Sequence, residues 1–225
     1  MPLKICVLAS GSSGNSTFVT SGSTSLLIDA GIPAREIVSR LEQIGHKITE
    51  VEYLVLTHAH IDHYRSVLTL IRRYNKNIKP LAAAETVEAL EEKGFICNEE
   101  TGLADNHGEK SGKRAQIKVV WREVSAEIGN ISIETVPLSH GKSWGNAGET
   151  LGLLLSCNRS TLSYFTDLGK VDKRVLRCLQ ESNAVVLEAN YHEPIVNRKL
   201  NNPAFRHDWD YLKWVKSEDG HLSND

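Results

Sequence analysis

Four side chains of the types that bind metal ions lie within six positions of this sequence. They occur in the segment THAHIDH at residues 57–63 and are His58, His60, Asp62 and His63. An apolar run at residues 53–56 precedes them, which predicts a loop at the end of a buried strand. Side chains two positions apart on an extended backbone point the same way, so we expect His58 and His60 to bind one metal ion. Asp62 and His63 fall on the following turn, where we expect them to bind a second ion.

The alternative is a surface loop whose histidines share no function, but so many ligand-type side chains after a buried strand favour a metal site. The first ion still needs a third protein nitrogen. His140 follows a predicted strand at residues 131–136 and lies in a glycine-containing loop. A lone histidine is more often a surface or hydrogen-bonded residue, but the incomplete site favours ligation here.

Two later residues can complete the second ion's ligands. Asp167 in TDLG comes just after a predicted strand at residues 161–165 and can bridge two ions. The alternative for Asp167 is an Asx turn that starts a helix near residues 173–179. His221 can join Asp62 and His63, although its spacing alone indicates a tail residue. Asp62 and Asp167 are the candidate catalytic residues.

The segment SGSSGNS at residues 10–16 follows a predicted strand at residues 3–8 and is rich in small residues. Glycines and hydroxyls let such a loop approach an anion closely, but it lacks the GK[ST] ending of an ATP-binding loop, and a plain turn is the alternative. Asp29 also follows a predicted strand, at residues 25–28. It either orients a ligand histidine or caps the helix that begins near Pro33.

Hydrophobic periodicity and turn residues predict alternating strands and helices. Further strands are expected at residues 18–20, 116–121, 126–128, 150–157 and 184–187, the last as a buried strand. Helices are expected at residues 33–44, 65–74, 85–93 and 209–216, and a polar excursion that contains His107 at residues 98–114.

Composition bounds the class of protein. The 225 residues suffice for one well-packed α/β domain or two small ones. The four cysteines, Cys6, Cys97, Cys157 and Cys178, form no CxxC pair, which favours buried free thiols over a zinc ribbon or disulfides. No signal peptide or membrane-spanning run is evident, so we expect a cytoplasmic protein without a membrane partner.

The net charge of −2 argues against nucleic-acid binding by bulk charge, so any such binding must be local. Two groups of basic residues are candidates, with ordinary solvated faces as the alternative. The groups are Arg72, Arg73, Lys76 and Lys79, and Arg198, Lys199, Arg206, Lys213 and Lys216.

THAHIDH resembles the HxHxDH signature of the metallo-β-lactamase superfamily. Six further motifs occur in the same order as in the YycJ (WalJ) branch of that superfamily, a branch of single-domain metallohydrolases. They are ASGSSGNS, DAG, SHG, TDLG, EAN and GHLSN. The resemblance implies an α/β fold, a four-layer αββα sandwich, in one domain over residues 1–225 that is short at its C-terminus relative to that branch. It implies one metal ion on His58, His60 and His140, a second on Asp62, His63 and His221, and Asp167 as the bridge.

That branch is associated with 5′-to-3′ exonuclease activity on DNA, through a hydroxide that bridges two divalent ions, zinc or manganese, with iron as a further possibility. The family pattern places a histidine directly after EAN, whereas here Tyr191 intervenes before His192. For an exonuclease of this kind, we expect the terminal phosphate of the DNA to be bound by six residues. They are Gly11, Ser12, Ser13, Gly14, Asn15 and Asn190.

Two other functions use the same residues. One is hydrolysis of a small ester, lactone or cyclic phosphodiester, because one metal pair can cleave carbonyl and phosphate esters alike. The other is a metal-bound module without catalysis.

Overall fold

The computed structural model describes residues 2–96, 118–119 and 126–224. Eleven strands in this part of the chain form two sheets. The first sheet has the order β1-β2-β3-β4-β5-β6 and the second the order β11-β10-β9-β8-β7. The strands are β1 Lys4–Ala9, β2 Ser16–Ser21, β3 Thr24–Ile28, β4 Tyr53–Val55, β5 Lys79–Ala82, β6 Lys118–Val119, β7 Ala126–Ile128, β8 Ile131–Leu138, β9 Thr150–Cys157, β10 Ser160–Phe165 and β11 Ala184–Leu187.

The described helices lie outside the two sheets. They are α1 Ala34–Gln43, α2 Ile61–Tyr64, α3 Val67–Thr69, α4 Ala84–Glu92, α5 Lys173–Glu181, α6 Glu193–Leu200 and α7 Trp209–Val215. A π-helical segment, Leu70–Tyr74, continues α3, and 3₁₀ turns occupy Ile48–Glu50 and Pro203–Asp208.

Three apolar layers separate four layers of secondary structure. Leu27 of β3 points outward to a layer shared with α1 and α4, whereas its neighbour Leu26 points inward and packs against the second sheet. On the far side of the second sheet, Phe165 contacts the layer that holds Val175 of α5. Strands buried on both faces contain continuous apolar runs, as in the last three residues of β3, Leu26, Leu27 and Ile28. The predicted αββα sandwich is therefore confirmed.

The strand directions bring to one edge of the sandwich the carboxyl ends of several strands, among them β3, β4, β8, β10 and β11. β3 and β4 are parallel, and so are β10 and β11, while β9 runs antiparallel to both β8 and β10. Backbone hydrogen bonds join the two sheets there, from Leu151 N to Thr57 O at 3.0 Å and from Ala59 N to Ala147 O at 2.8 Å. Every loop that carries a predicted ligand leaves a strand at this edge except the one with His221.

Two expectations about elements need correction. The strand at 184–187 forms, but Val185 and Leu187 are 45% and 41% exposed, because β11 is the edge strand of its sheet and not a central one. The helix α6 and the 3₁₀ turn Pro203–Asp208 were not predicted, because Val196 is the only residue that these two elements bury.

Several expectations fall on residues without a description. Three predicted features lie wholly or mostly outside the described residues. They are the polar excursion at 98–114 that contains His107, the thiol of Cys97, and the strand at 116–121, of which only 118–119 are described. Cys157 and Cys178 are buried free thiols, as expected, whereas Cys6 is a free thiol that is only partly buried. Among the helices that the structure describes, none has both the length and the apolar character that a membrane crossing requires.

Candidate metal centre

Three histidine side chains converge on one point at this edge. His58 Nε2 lies 3.0 Å from His60 Nδ1, which lies 3.3 Å from His140 Nε2. Zinc binds histidine nitrogen at about 2.0–2.1 Å with tetrahedral angles, so two nitrogen ligands of one ion lie roughly 3.3 Å apart. The observed spacing fits one ion among the three rings.

The remaining nitrogen of each ring faces an acceptor in the protein. His140 Nδ1 donates to Gly220 O at 2.7 Å, and His60 Nε2 faces Trp144 O at 3.3 Å. His58 Nδ1 lies 3.0 Å from the hydroxyl of Thr57. Such contacts select the tautomer that leaves the opposite nitrogen free to bind a metal.

Burial keeps these three rings neutral. It lowers the pKa of His58 well below its ordinary value and that of His140 to about 3, and it also lowers the pKa of His60. Neutral imidazole is the form that binds metal, so a cation would meet no competing proton here near neutral pH.

A second group of predicted ligand residues lies beside the first. His63 Nε2 is 3.3 Å from Asp167 Oδ2 and 3.5 Å from Asp62 Oδ2, and His221 Nδ1 is 3.9 Å from Asp167 Oδ1. Asp167 has ligand atoms within reach of both groups, because its Oδ1 is also 3.9 Å from His140 Nε2. All seven predicted ligands therefore meet at one place, with Asp167 between the two groups.

The charges of the second group are unbalanced without a cation. Burial would lower the pKa of His63, but the carboxylates of Asp167 and Asp29 outweigh it and raise that pKa well above its usual range. Burial raises the pKa of Asp167 to about 7, against the opposing charge of His63. Asp167 Oδ2 is buried and accepts no hydrogen bond from any described residue. A buried carboxylate oxygen that accepts no hydrogen bond, among imidazoles, is a donor set that divalent ions bind, so these residues fit bound divalent metal.

The Asp29 carboxylate contacts His63 and Thr57 and thereby helps to hold the His63 ring in place. Its Oδ2 lies 2.8 Å from His63 Nδ1, and its Oδ1 accepts from the backbone N–H of Thr57 at 2.9 Å. The Thr57 hydroxyl donates to the same carboxylate. Of the two roles considered for Asp29, the geometry favours orientation of a ligand, because α1 begins after Pro33 without a side-chain cap.

Glu188 was missed as a site residue although it belongs to the EAN motif. Its Oε2 lies 2.9 Å from His221 Nδ1, and its Oε1 accepts from Leu222 N at 2.6 Å and from Leu168 N at 3.2 Å. The sequence feature that could have identified Glu188 is a carboxylate just after a predicted strand, which is also the position of Asp29 and Asp167.

His221 is held in place by its neighbours, contrary to the tail character that its spacing indicates. Its N–H donates to Val215 O at 2.9 Å, and Asn190 N donates to Leu222 O at 3.1 Å. A parallel bridge also pairs Tyr191 with Ser223. Burial lowers the pKa of His221, but the Glu188 carboxylate outweighs burial and raises it.

The predicted anion loop packs against the centre through one amide. Asn15 is buried, and its Nδ2 lies 3.0 Å from His63 Nε2 and 3.3 Å from Asp62 Oδ2. This close approach needs glycine, because a Cβ on Gly31 would lie 1.5 Å from Asp62 O.

The backbone N–H groups expected to bind phosphate differ in whether they already donate hydrogen bonds. The N–H groups of Gly11 and Gly14 already donate within the loop, to Asn15 Oδ1 and to Gly11 O. Ser12 and Ser13 are exposed, and their N–H groups donate to no group in the described part of the chain. Asn190 and His192 are also exposed, and no described contact joins the side chain of Asn190 to the metal centre.

An αββα sandwich with buried histidines and aspartates converging at one edge defines a metal-dependent hydrolase of the metallo-β-lactamase fold. Residues 24–223 match the family described as the beta-lactamase superfamily domain, and the chain belongs to that family.

Two relatives that match almost the whole chain are both named as exodeoxyribonucleases. The chain is 27% identical over 222 residues to exodeoxyribonuclease WalJ of Streptococcus pneumoniae serotype 2, covering 99% of this chain and 73% of that protein. It is 26% identical over 225 residues to exodeoxyribonuclease YycJ of Bacillus anthracis, covering 100% of this chain and 75% of that protein.

Solved structures with the same fold are more distant in sequence. The metallo-β-lactamase fold protein YhfI from Bacillus subtilis is 14% identical with a TM-score of 0.62, covering 85% of this chain and 73% of that one. A diphosphatase from the PhnP family is 17% identical with a TM-score of 0.58, covering 84% and 75%. These similarities support the fold.

Removing metal ions with a chelator is expected to lower the melting temperature, because Asp167 and the rings around it then lack their cation. An ion present at 100 times its Kd contributes about 2.7 kcal/mol to the free energy of unfolding. Thermal unfolding before and after chelation, with elemental analysis of both samples, checks this. Equal melting temperatures in samples with and without bound metal would contradict it.

Proposed function

We propose that this protein is a 5′-to-3′ DNA exonuclease that uses two divalent metal ions. The observation that carries the proposal is similarity over the whole chain to two exodeoxyribonucleases, in a protein whose matching motifs supply one cluster of histidines and aspartates. Zinc and manganese both suit these ligands, and the protein is proposed to act in the cytoplasm as a single domain.

The roles proposed for the side chains follow from their positions. His58, His60 and His140 would hold one ion, and Asp62, His63 and His221 would hold the other, with Asp167 as a ligand available to both. When bound, such ions lower the pKa of a coordinated water towards neutrality and neutralise charge on phosphate oxygens. Asp29 and Glu188 orient the rings of His63 and His221 through their contacts at 2.8 Å and 2.9 Å. The exposed hydroxyls and N–H groups of Ser12 and Ser13 are proposed to bind the 5′-terminal phosphate.

A small-molecule ester or phosphodiester hydrolase remains the second candidate, because the same metal ligands serve both reactions. A structural relative named as a diphosphatase shares this fold. A module that binds metal without turnover is the third candidate.

The manganese-loaded protein is expected to shorten 5′-phosphorylated DNA from its 5′ end. We would compare it with the Asp62→Ala variant and with a small phosphodiester reporter. Loss of shortening in the variant supports the nuclease. Cleavage of the reporter alone would favour the second candidate, and no turnover of any ester with two metals bound per chain would favour the third.

DNA cleavage should also depend steeply on salt, since each phosphate contact releases counterions. We expect kcat/KM on DNA to fall several-fold between low and physiological ionic strength, while turnover of the small reporter changes little.

The paired replacement Ser12→Ala and Ser13→Ala should reduce the preference for a 5′-phosphate over a 5′-hydroxyl. It leaves Asn15 and its contacts with the metal ligands intact.

A further inference from the structure

Three aromatic side chains form a continuous surface beside the metal centre. Trp144 and Trp214 are stacked, with ring centroids 5.8 Å apart and planes at 24°. Tyr211 lies 5.8 Å from Trp214 and 5.9 Å from Trp144. We call these three residues the aromatic platform.

The aromatic platform extends from the solvent-exposed surface to the predicted metal ligands. Trp214 is 9% exposed, and its ring lies 5.6 Å from that of His140 and 5.4 Å from that of His221. Trp144 and Tyr211 are 42% and 44% exposed, so they offer ring surface to a ligand. A group that lies on them is therefore next to whatever is bound at the metals.

The loop that carries Trp144 is held by many hydrogen bonds. The Asp219 carboxylate accepts from Ser143 N at 2.7 Å and from Lys142 N at 3.1 Å. Lys93 donates to Ala59 O at 2.6 Å and to the carbonyl of Asn146. A ligand that stacks on a loop already held in place pays little ordering entropy.

Stacking on aromatic rings is how proteins bind single-stranded nucleic acid without reading its sequence, together with basic side chains that follow the phosphates. Lys142 is exposed in the same loop, two positions before Trp144. This combination of exposed rings, a cation and direct continuity with the metal ligands suits a nucleotide strand better than an apolar protein segment.

We propose that Trp144 and Tyr211 stack against an unpaired nucleobase of the strand whose phosphate lies at the metal centre. This inference rests on the proposed function and adds a base-binding subsite to it. The subsite favours single-stranded or frayed ends, because bases within a duplex are already stacked on each other.

The test compares two ligands with the same charge. One is a short 5′-phosphorylated oligothymidylate and the other an abasic strand of equal length, both with phosphorothioate links and a 3′ label. Anisotropy measures their binding to the manganese-loaded protein. We expect tighter binding of the oligothymidylate by about 5- to 150-fold for a stacked base.

The Trp144→Ala variant is expected to lose most of this preference, and the binding of the abasic strand should stay unchanged. Trp144→Phe should retain part of it. The backbone carbonyl that faces His60 is kept in both variants. Tyr74→Ala replaces an exposed aromatic residue outside the platform and is the matched control. Lys142→Ala should lower the salt slope of binding by about 0.7, whereas Trp144→Ala should not change that slope.

The outcomes separate the two proposals. Equal binding of both strands by the wild-type protein, or an unchanged preference in Trp144→Ala, overturns the platform even if DNA is cleaved. Absence of binding to either strand overturns the platform and the nuclease together.

Discussion

Replacing Asp167 with asparagine is expected to reduce DNA hydrolysis by about 100- to 10,000-fold while the fold is retained. Removal of a residue that contacts the reacting centre costs roughly two to four orders of magnitude in many enzymes. The amide keeps the shape of the carboxylate but removes the charge that lies between the two groups of histidines. Elemental analysis should then find less than two metal ions per chain.

The stability of the metal-free variant provides a second measurement. Burial raises the pKa of Asp167 from its ordinary value of 3.8 to about 7. Between those pH values the folded protein binds more protons at this group than the unfolded chain, so this group makes stability fall as the pH rises. The asparagine variant lacks that contribution. Above pH 7 it should therefore be as stable as the metal-free wild type or more stable, and below about pH 4 the difference should disappear.

Asp172→Asn is the matched control. Asp172 lies in the same connection but caps α5, where it accepts from Arg174 N and Val175 N at 2.9 Å. Asparagine caps helices nearly as well, so activity and stability should both be retained. A result of more than a tenth of wild-type activity for Asp167→Asn would contradict the proposed bridging role.

Replacing Asp29 with alanine is expected to destabilise the protein by about 3–5 kcal/mol and to weaken metal binding by about 10- to 100-fold. The side chain is fully buried, and its loss leaves the Thr57 N–H and the His63 ring without their acceptor. Asp29 also has a φ of +61°, a conformation that costs alanine about 1–2 kcal/mol.

Asparagine separates these effects. Asp29→Asn tolerates the positive φ and keeps one acceptor oxygen, so its loss of stability should be smaller than that of alanine. Denaturant unfolding and metal titration of both variants check the ranking. Full metal affinity in Asp29→Ala would show that His63 needs no such support.

Local patterns account for what was predicted correctly. The THAHIDH segment follows β4 directly, so strand alternation and the next turn determine how His58, His60 and His63 point. The periodic apolar residues of α1 and the glycine that follows it likewise determine a helix within a few residues of the predicted bounds. These features depend on neighbours within one or two turns of chain.

The remaining features depend on residues far apart in the chain. β11 is exposed because it ends up at a sheet edge, and an apolar strand has the same sequence pattern at the edge and in the centre. Only the packing of α7 against the loop after β8 creates the aromatic platform. Similarly, His221 reaches Asp167 because residues 190–191 pair with the segment around it.

The sequence by itself therefore determined the ligand types, because local spacing and strand alternation place them after a buried strand. The sandwich class followed from the resemblance of the motifs and their order to the metallo-β-lactamase superfamily. The tertiary structure alone decided which ring nitrogen of each histidine is free, how Glu188 holds His221, and where aromatic rings border the centre. The physical reason is that hydrogen-bond partners and stacked rings are chosen by strand order and packing, which bring together residues that no local pattern connects.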